Sequence, residues 1–215
     1  MVTKYIQLVL DSLLKATRLE SSVVQSELES CFDTRMVGCE TVHLLSNLCA
    51  SELVRVYLNV GIWRGASFIP PLLGTDVRGI GVDNWSQFGG AGAREIVNRS
   101  LRLRVPAERY HVIEGDAFEV PLPGEIADGT VDLYFYDGDH HFEAQQRAFT
   151  YYDRSFASTF VAVVDDWRNW HRGYKAKVGT LSAFESLGYR VPFHVTLDWS
   201  SGLFVAVVEK GQNNE

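Results

Sequence analysis

The sequence predicts an α/β fold: a doubly wound, mostly parallel seven-stranded sheet ending in a C-terminal antiparallel hairpin. Seven short apolar runs lie at residues 54–60, 78–82, 110–114, 131–136, 159–164, 190–196 and 203–208. Their nearly continuous hydrophobicity suits strands buried on both faces, as in a parallel sheet covered by helices. Longer amphipathic segments at 67–73, 92–103, 142–152 and 174–187 alternate with them, and a βαβα order implies right-handed crossovers. Only residues 197–202 separate the last two runs, too few for a helical crossover. Asp198, Ser200, Ser201 and Gly202 supply turn chemistry there.

Ahead of this pattern, Ile6, Val9, Leu10, Leu13 and Leu14 share one helical face. Residues 21–38 are mixed and polar, and read as part helix and part loop. Val42, Leu45 and Leu48 are in phase for a second helix over 41–49. Residues 1–40 therefore form a helical segment suited to a lid or to a dimer surface, 41–210 the α/β domain, and 211–215 a polar tail.

A length of 215 residues suits one domain with a full core. The formal net charge of -7 argues against a nucleic-acid surface, which needs clustered Lys and Arg, but leaves a small anionic substrate open. Cys31, Cys39 and Cys49 form no CxxC pair and fit a reducing, cytoplasmic setting. No apolar run approaches the ~20 residues of a membrane span. Asp11 interrupts the only candidate for a leader, so no signal peptide is expected.

Ligands of open α/β sheets bind outside the carboxyl ends of the strands. The first strand runs into Asn59-Val60-Gly61-Ile62-Trp63-Arg64-Gly65-Ala66-Ser67, either a ligand loop or an ordinary tight turn. Its spacing is G-x-x-x-G, not the G-x-G-x-x-G of dinucleotide enzymes. Asp83 follows the second strand, twenty-two positions beyond Gly61, where this architecture binds ribose hydroxyls; Asp is also a common turn cap. The third, fourth and fifth strands are followed by Gly115-Asp116-Ala117, Asp137-Gly138-Asp139-His140-His141 and Asp165-Asp166-Trp167.

The strings YLNVGIWRGAS, GVDNW, EGDAF, LYFYDGDHHFE and VVDDW, in that order, resemble the class I S-adenosylmethionine-dependent methyltransferases, over roughly 41–210. The resemblance is nearest to the branch around catechol O-methyltransferase and bacterial enzymes with a DGDH motif. It implies a Rossmann-like methyltransferase fold with S-adenosylmethionine as cofactor. It implies that Gly61, Gly65 and Ser67 line the methionine part, that Asp83 holds the ribose, and that Asp116 and Ala117 contact the adenine. It further implies Mg2+ or another divalent cation on Asp137, Asp165 and Asp166, with His140 as general base. The cation would hold the substrate hydroxyl and lower its pKa while His140 removes the proton.

This chain departs from the family at two places. Asn59 stands where the family carries an acid, which removes charge complementarity to the cofactor's ammonium; Asp137 is an alternative partner for that group. His140 stands where catechol-type relatives carry Lys, and imidazole accepts a proton near neutrality. Local readings stay open beside these roles. Asp139 suits a helix cap, Asp165 and Asp166 suit turn caps, Asp137 suits the cofactor alone, and His141 competes with His140. Trp85, Trp167, Trp170 and Trp199 read either as aromatic walls for a planar substrate or as core.

The expected partner is a small metabolite with a chelating hydroxyl, with no nucleic acid, no membrane, and a homodimer through the N-terminal helices as one use of that segment. Alternatives are a metal-independent methyltransferase, a non-catalytic cofactor-binding protein, and an NAD-dependent oxidoreductase. The glycine spacing and the final hairpin count against the last.

Overall fold

The apolar runs form one seven-stranded sheet in the order β3-β2-β1-β4-β5-β7-β6. A computed structural model describes residues 1–21, 36–121, 128–168 and 175–211. The strands are β1 Val56–Val60, β2 Arg78–Asp83, β3 Tyr110–Glu114, β4 Val131–Tyr136, β5 Phe156–Val164, β6 Arg190–Leu197 and β7 Leu203–Glu209. The helices among the described residues are α1 Val2–Ala16, α2 Cys39–Cys49, α3 Ile69–Leu72, α4 Gly90–Arg104, α5 Phe142–Thr150 and α6 Lys175–Ser186. The first five strands pair in parallel, whereas β7 runs antiparallel to both β5 and β6. The final hairpin is as the sequence predicts, and its second strand inserts between β5 and β6.

Side-chain alternation splits the sheet into two apolar faces. Tyr57, Leu133, Phe135, Val161 and Val163 point to one face, where they meet residues of α1, α2, α3 and α4. Leu58, Val60, Tyr134, Tyr136, Phe160 and Ala162 point to the other, against α5 and α6. Helices on both faces explain why these strands read as continuous hydrophobic runs.

Element ends shift for local reasons. The first strand begins at Val56 rather than 54, because the Val54 N–H is committed to the Ser51 carbonyl (3.0 Å). The helix predicted over 67–73 contracts to Ile69–Leu72, a single turn that contains Pro70 and Pro71. Proline lacks the N–H that a longer helix needs, and Leu73 is already extended. The helix predicted over 92–103 lengthens to Gly90–Arg104.

Trp85 and Trp167 are buried in the core, and Trp167 stacks on Phe204 with ring centroids 4.0 Å apart. The packing reading therefore holds for both. Trp199 is partly buried against the core. Trp170, Tyr174, Cys31, most of the 21–38 segment and 212–215 of the tail lie outside the described residues. No helix among the described residues is long and apolar enough to cross a membrane.

Candidate functional site

The parallel register brings the strand ends into one row. Val60 pairs with Val82 on one side and Tyr136 on the other, Asp83 with Glu114, and Tyr136 with Val164. The next residues extend the ladder past the strands. Gly61 donates its N–H to Val82 (2.9 Å), Asp137 to Val60 (2.9 Å), Gly115 to Asp83 (3.1 Å) and Asp165 to Tyr136 (3.1 Å). Gly61, Asp83, Gly115, Asp137 and Asp165 thus stand side by side along one carboxyl edge. The chain leaves β1 towards β2 and β4 towards β5, so the switch point of this sheet falls between Gly61 and Asp137. Gly61 has φ +89°, and a Cβ there would lie 2.1 Å from the Asp137 carbonyl oxygen. Only glycine lets the two loops part from so close a contact.

Along this edge the carboxylates differ in setting. Half-buried Asp83 accepts the main-chain N–H of Trp63 (2.8 Å) on one oxygen and that of Trp85 (2.7 Å) on the other. Asp116 is exposed and accepts the Phe118 N–H (2.8 Å), closing an Asx turn at the end of β3. The adjacent Ala117 carbonyl accepts the Tyr152 hydroxyl.

Asn59 and Ser67 lie beneath the glycine loop rather than in it. The Asn59 side chain is fully buried, and its amide nitrogen donates to the Tyr57 hydroxyl and to Ser67 Oγ, both at 2.9 Å. Tyr57 donates in turn to the Ser67 carbonyl (2.9 Å). Asn59 Oδ1 is buried without a hydrogen-bond partner. Tyr57→Phe removes the hydroxyl that joins this network, leaving one Asn59 amide N–H and the Ser67 carbonyl without that partner. An expected loss of about 1–3 kcal/mol follows, read as a lower urea midpoint with unchanged slope.

Beyond β4 and β5 an acidic cluster forms around a buried imidazole. His140 Nε2 lies 3.3 Å from Asp166 Oδ2 and 3.7 Å from Asp137 Oδ1. His141 instead is exposed and held by Asp139, which also accepts the His141 N–H (3.0 Å). The structure thus brings His140, not His141, to the carboxylates, and leaves Asp139 to the turn before α5. On the far side of the ring, Gln145 Nε2 lies 3.3 Å from His140 Nδ1, and Thr180 donates to Gln145 Oε1 (3.1 Å). Sequence reasoning missed Gln145 and Thr180. The available clue was an amide in phase with Ala148 and Phe149 on the buried face of α5.

Burial, the charges of Asp165 and Asp166 and the nearby Asp83 push the Asp137 carboxyl well above the usual carboxylate range. Burial, then the charge of Asp166, pushes Asp165 up to about 7. Burial and mutual repulsion thus hold the adjacent Asp137 and Asp165 carboxyls towards their neutral forms. Asp165 Oδ1 is also buried without a partner. Among the described residues, no group of three or more His, Cys, Asp or Glu side chains that could hold a metal ion is found.

Residues 58–167 match the methyltransferase domain family, a stretch that takes in the end of β1, all of β2 to β5 and every carboxylate of the rim. No curated protein matches the chain. Among solved structures, a Staphylococcus aureus protein assigned as a caffeoyl-CoA O-methyltransferase is 16% identical and superposes with a TM-score of 0.61, over 98% of this chain and 99% of that one. Cofactor-bound Rv0187 from MTB is 18% identical, with a TM-score of 0.58 over 95% and 91%. The O-methyltransferase from Bacillus cereus in complex with SAH is 14% identical, with a TM-score of 0.58 over 94% and 91%. These likenesses establish a common fold along nearly the whole chain.

Proposed function

The chain belongs to the methyltransferase domain family, and from that membership we propose that it transfers a methyl group from S-adenosylmethionine to a hydroxyl oxygen of a small metabolite. One observation carries this reading. Gly61, Asp83, Asp116 and Asp137, far apart in sequence, end neighbouring strands at a single edge that includes the switch point. The SAH-bound structure with the same fold supports the choice of cofactor.

The residues present fit that cofactor. Gly61 and Gly65 both hold positive φ and open the loop to a close ligand, with Ser67 behind them. The unpartnered Asn59 Oδ1 is a neutral acceptor suited to an ammonium group. Asp83 takes the ribose hydroxyls, while Asp116 and Ala117 face the adenine. When bound, the sulfonium supplies an activated methyl group. The protein holds the acceptor in line, excludes water and takes up a proton.

His140 takes that proton at Nε2, the nitrogen that faces the carboxylates. A neutral ring able to do so carries its hydrogen on Nδ1, which requires the Gln145 amide to turn over, presenting its oxygen to the ring and its nitrogen to the Thr180 hydroxyl. Asp166 then stabilises the imidazolium. Asp137, Asp165 and Asp166 are not gathered as a ligand set in this structure, but as hard-oxygen donors at adjacent strand ends they would hold Mg2+, whose charge lowers a hydroxyl pKa. The orphaned Asp165 oxygen and the crowding of like charges support this, since a cation offsets both. A second reading, transfer without a metal, fits the raised Asp137 and Asp165 carboxyls, which burial and mutual repulsion hold towards their neutral forms.

We also assign 41–210 as the cofactor-binding domain, acting in the cytoplasm. Residues 1–40 serve it as a lid or a dimer segment, since α1 buries Tyr5 and Val9 while leaving Leu10 and Leu14 exposed.

Transfer of labelled methyl from S-adenosylmethionine to a panel of vicinal diols and phenols, with Mg2+ or EDTA, tests these readings. Asp137→Ala is expected to lower kcat/KM at least about 100-fold. Full activity in EDTA would retire the cation. Tight SAH binding without transfer to any hydroxyl would retire the O-methyl chemistry.

A further inference from the structure

We propose that Trp85 and Trp63 are positioning residues, whose interlocked indoles fix the Asp83 carboxylate to receive two adjacent hydroxyls. The proposal rests on the assignment of Asp83 to the ribose. The loops after β1 and β2 are tied to each other through both tryptophans. Each loop gives Asp83 a main-chain N–H, from Trp63 at 2.8 Å and from Trp85 at 2.7 Å. Each indole then reaches across to the opposite loop. Trp85 Nε1 donates to the Trp63 carbonyl (2.9 Å), and Trp63 Nε1 donates to the Phe88 carbonyl (3.2 Å).

The backbone is strained to allow this. Trp63, Trp85 and Phe88 have φ of 39°, 47° and 49°, in the left-handed region that bulky residues avoid. Such strain persists only where the surroundings over-determine it, and it concentrates at ligand clamps. Gly90 completes the fold-back: a Cβ there would lie 1.6 Å from the Trp85 carbonyl oxygen. Core packing accounts for the ring of Trp85, which is 8% exposed, but not for the direction of its N–H.

The consequence for Asp83 is geometric. Each carboxylate oxygen spends one acceptor position on a protein N–H and keeps another for a ligand. Held at both oxygens, the carboxylate cannot rotate, so a vicinal diol meets it already oriented.

Trp85→Phe keeps the ring and removes the donor, and Trp63→Phe does the same on the other side. Calorimetric titration with S-adenosylhomocysteine and its 2′-deoxy analogue, alongside thermal melts, separates positioning from packing. Trp85→Phe is expected to weaken S-adenosylhomocysteine about tenfold and the 2′-deoxy analogue, which keeps one of the two hydroxyls, distinctly less, so that the ribose preference shrinks. Trp63→Phe should act in the same direction. Equal weakening of both ligands, or an intact preference, overturns the proposal and leaves the tryptophans as packing. If Trp85→Phe does not fold, the Trp63→Phe titration decides by the same criteria. Failure of the wild-type protein to bind S-adenosylhomocysteine overturns the functional reading, and wild-type binding without a ribose preference overturns the role of Asp83.

Discussion

Gly61→Ala is expected to destabilise the protein by about 4 kcal/mol or more and to abolish S-adenosylhomocysteine binding. Two independent costs meet at this residue. Its φ of +89° is one that a side chain resists, and the added Cβ would lie 2.1 Å from the Asp137 carbonyl oxygen. That oxygen is main chain at the end of a central, fully buried strand, so no rotamer change relieves the contact. The ends of β1 and β4 must part, which breaks the Asp137 N–H bond to Val60. For a chain of this size the melting temperature should fall by roughly 8–16 °C. Gly74→Ala is the control. Its φ is +66° but nothing lies within 4 Å, so backbone strain acts alone and about 1 kcal/mol is expected. Equal losses at the two positions would show that the close approach of β1 and β4 is not what the glycine serves.

The central strands and their terminal carboxylates were legible because both depend on local pattern. The run at 131–136 coincides with β4, since a strand buried on both faces must be apolar throughout, and the run at 110–114 coincides with the half-exposed edge strand β3. Each rim Asp could be found because it follows such a run directly. Parallel pairing then aligns those ends without further information. The insertion of β7 between β5 and β6 was not legible. Six residues announce a hairpin, but neither arm says which of them meets β5. The place of Asn59 directly before the glycine loop is legible in the sequence. Its tie to Tyr57 and Ser67 under that loop is a tertiary fact with no periodic trace. Gln145 and Thr180 were hidden for the same reason, since they meet across two helices thirty-five positions apart. The shortened α3, by contrast, was readable from Pro70 and Pro71.

The acidic cluster makes the metal-free protein less stable as pH rises, and Asp165→Asn should remove much of that dependence. Burial and the Asp166 charge raise Asp165 from a reference near 3.8 to about 7 in the folded state. The folded protein therefore binds more protons than the unfolded chain between those values. The contribution of Asp165 to stability is fully present below about pH 4, falls through the interval, and is lost above about 7. A shift of that size corresponds to about 4 kcal/mol, and the coupling of Asp165 to the neighbouring Asp137 brings the expected loss to about 2–4 kcal/mol. Asparagine cannot ionise, so melting curves of Asp165→Asn taken from pH 4 to 8 should stay flatter and end higher than those of the wild type. Parallel decline in the two proteins would place the pH dependence elsewhere. Mg2+ adds a second arm. A cation held by these carboxylates stabilises the ionised form, so its effect on the wild-type melting temperature should grow from pH 5 to pH 8. The variant should gain little from it at either pH. The carboxylates would then be kept at a cost to the fold, because a neutral and more stable cluster could not hold the cation.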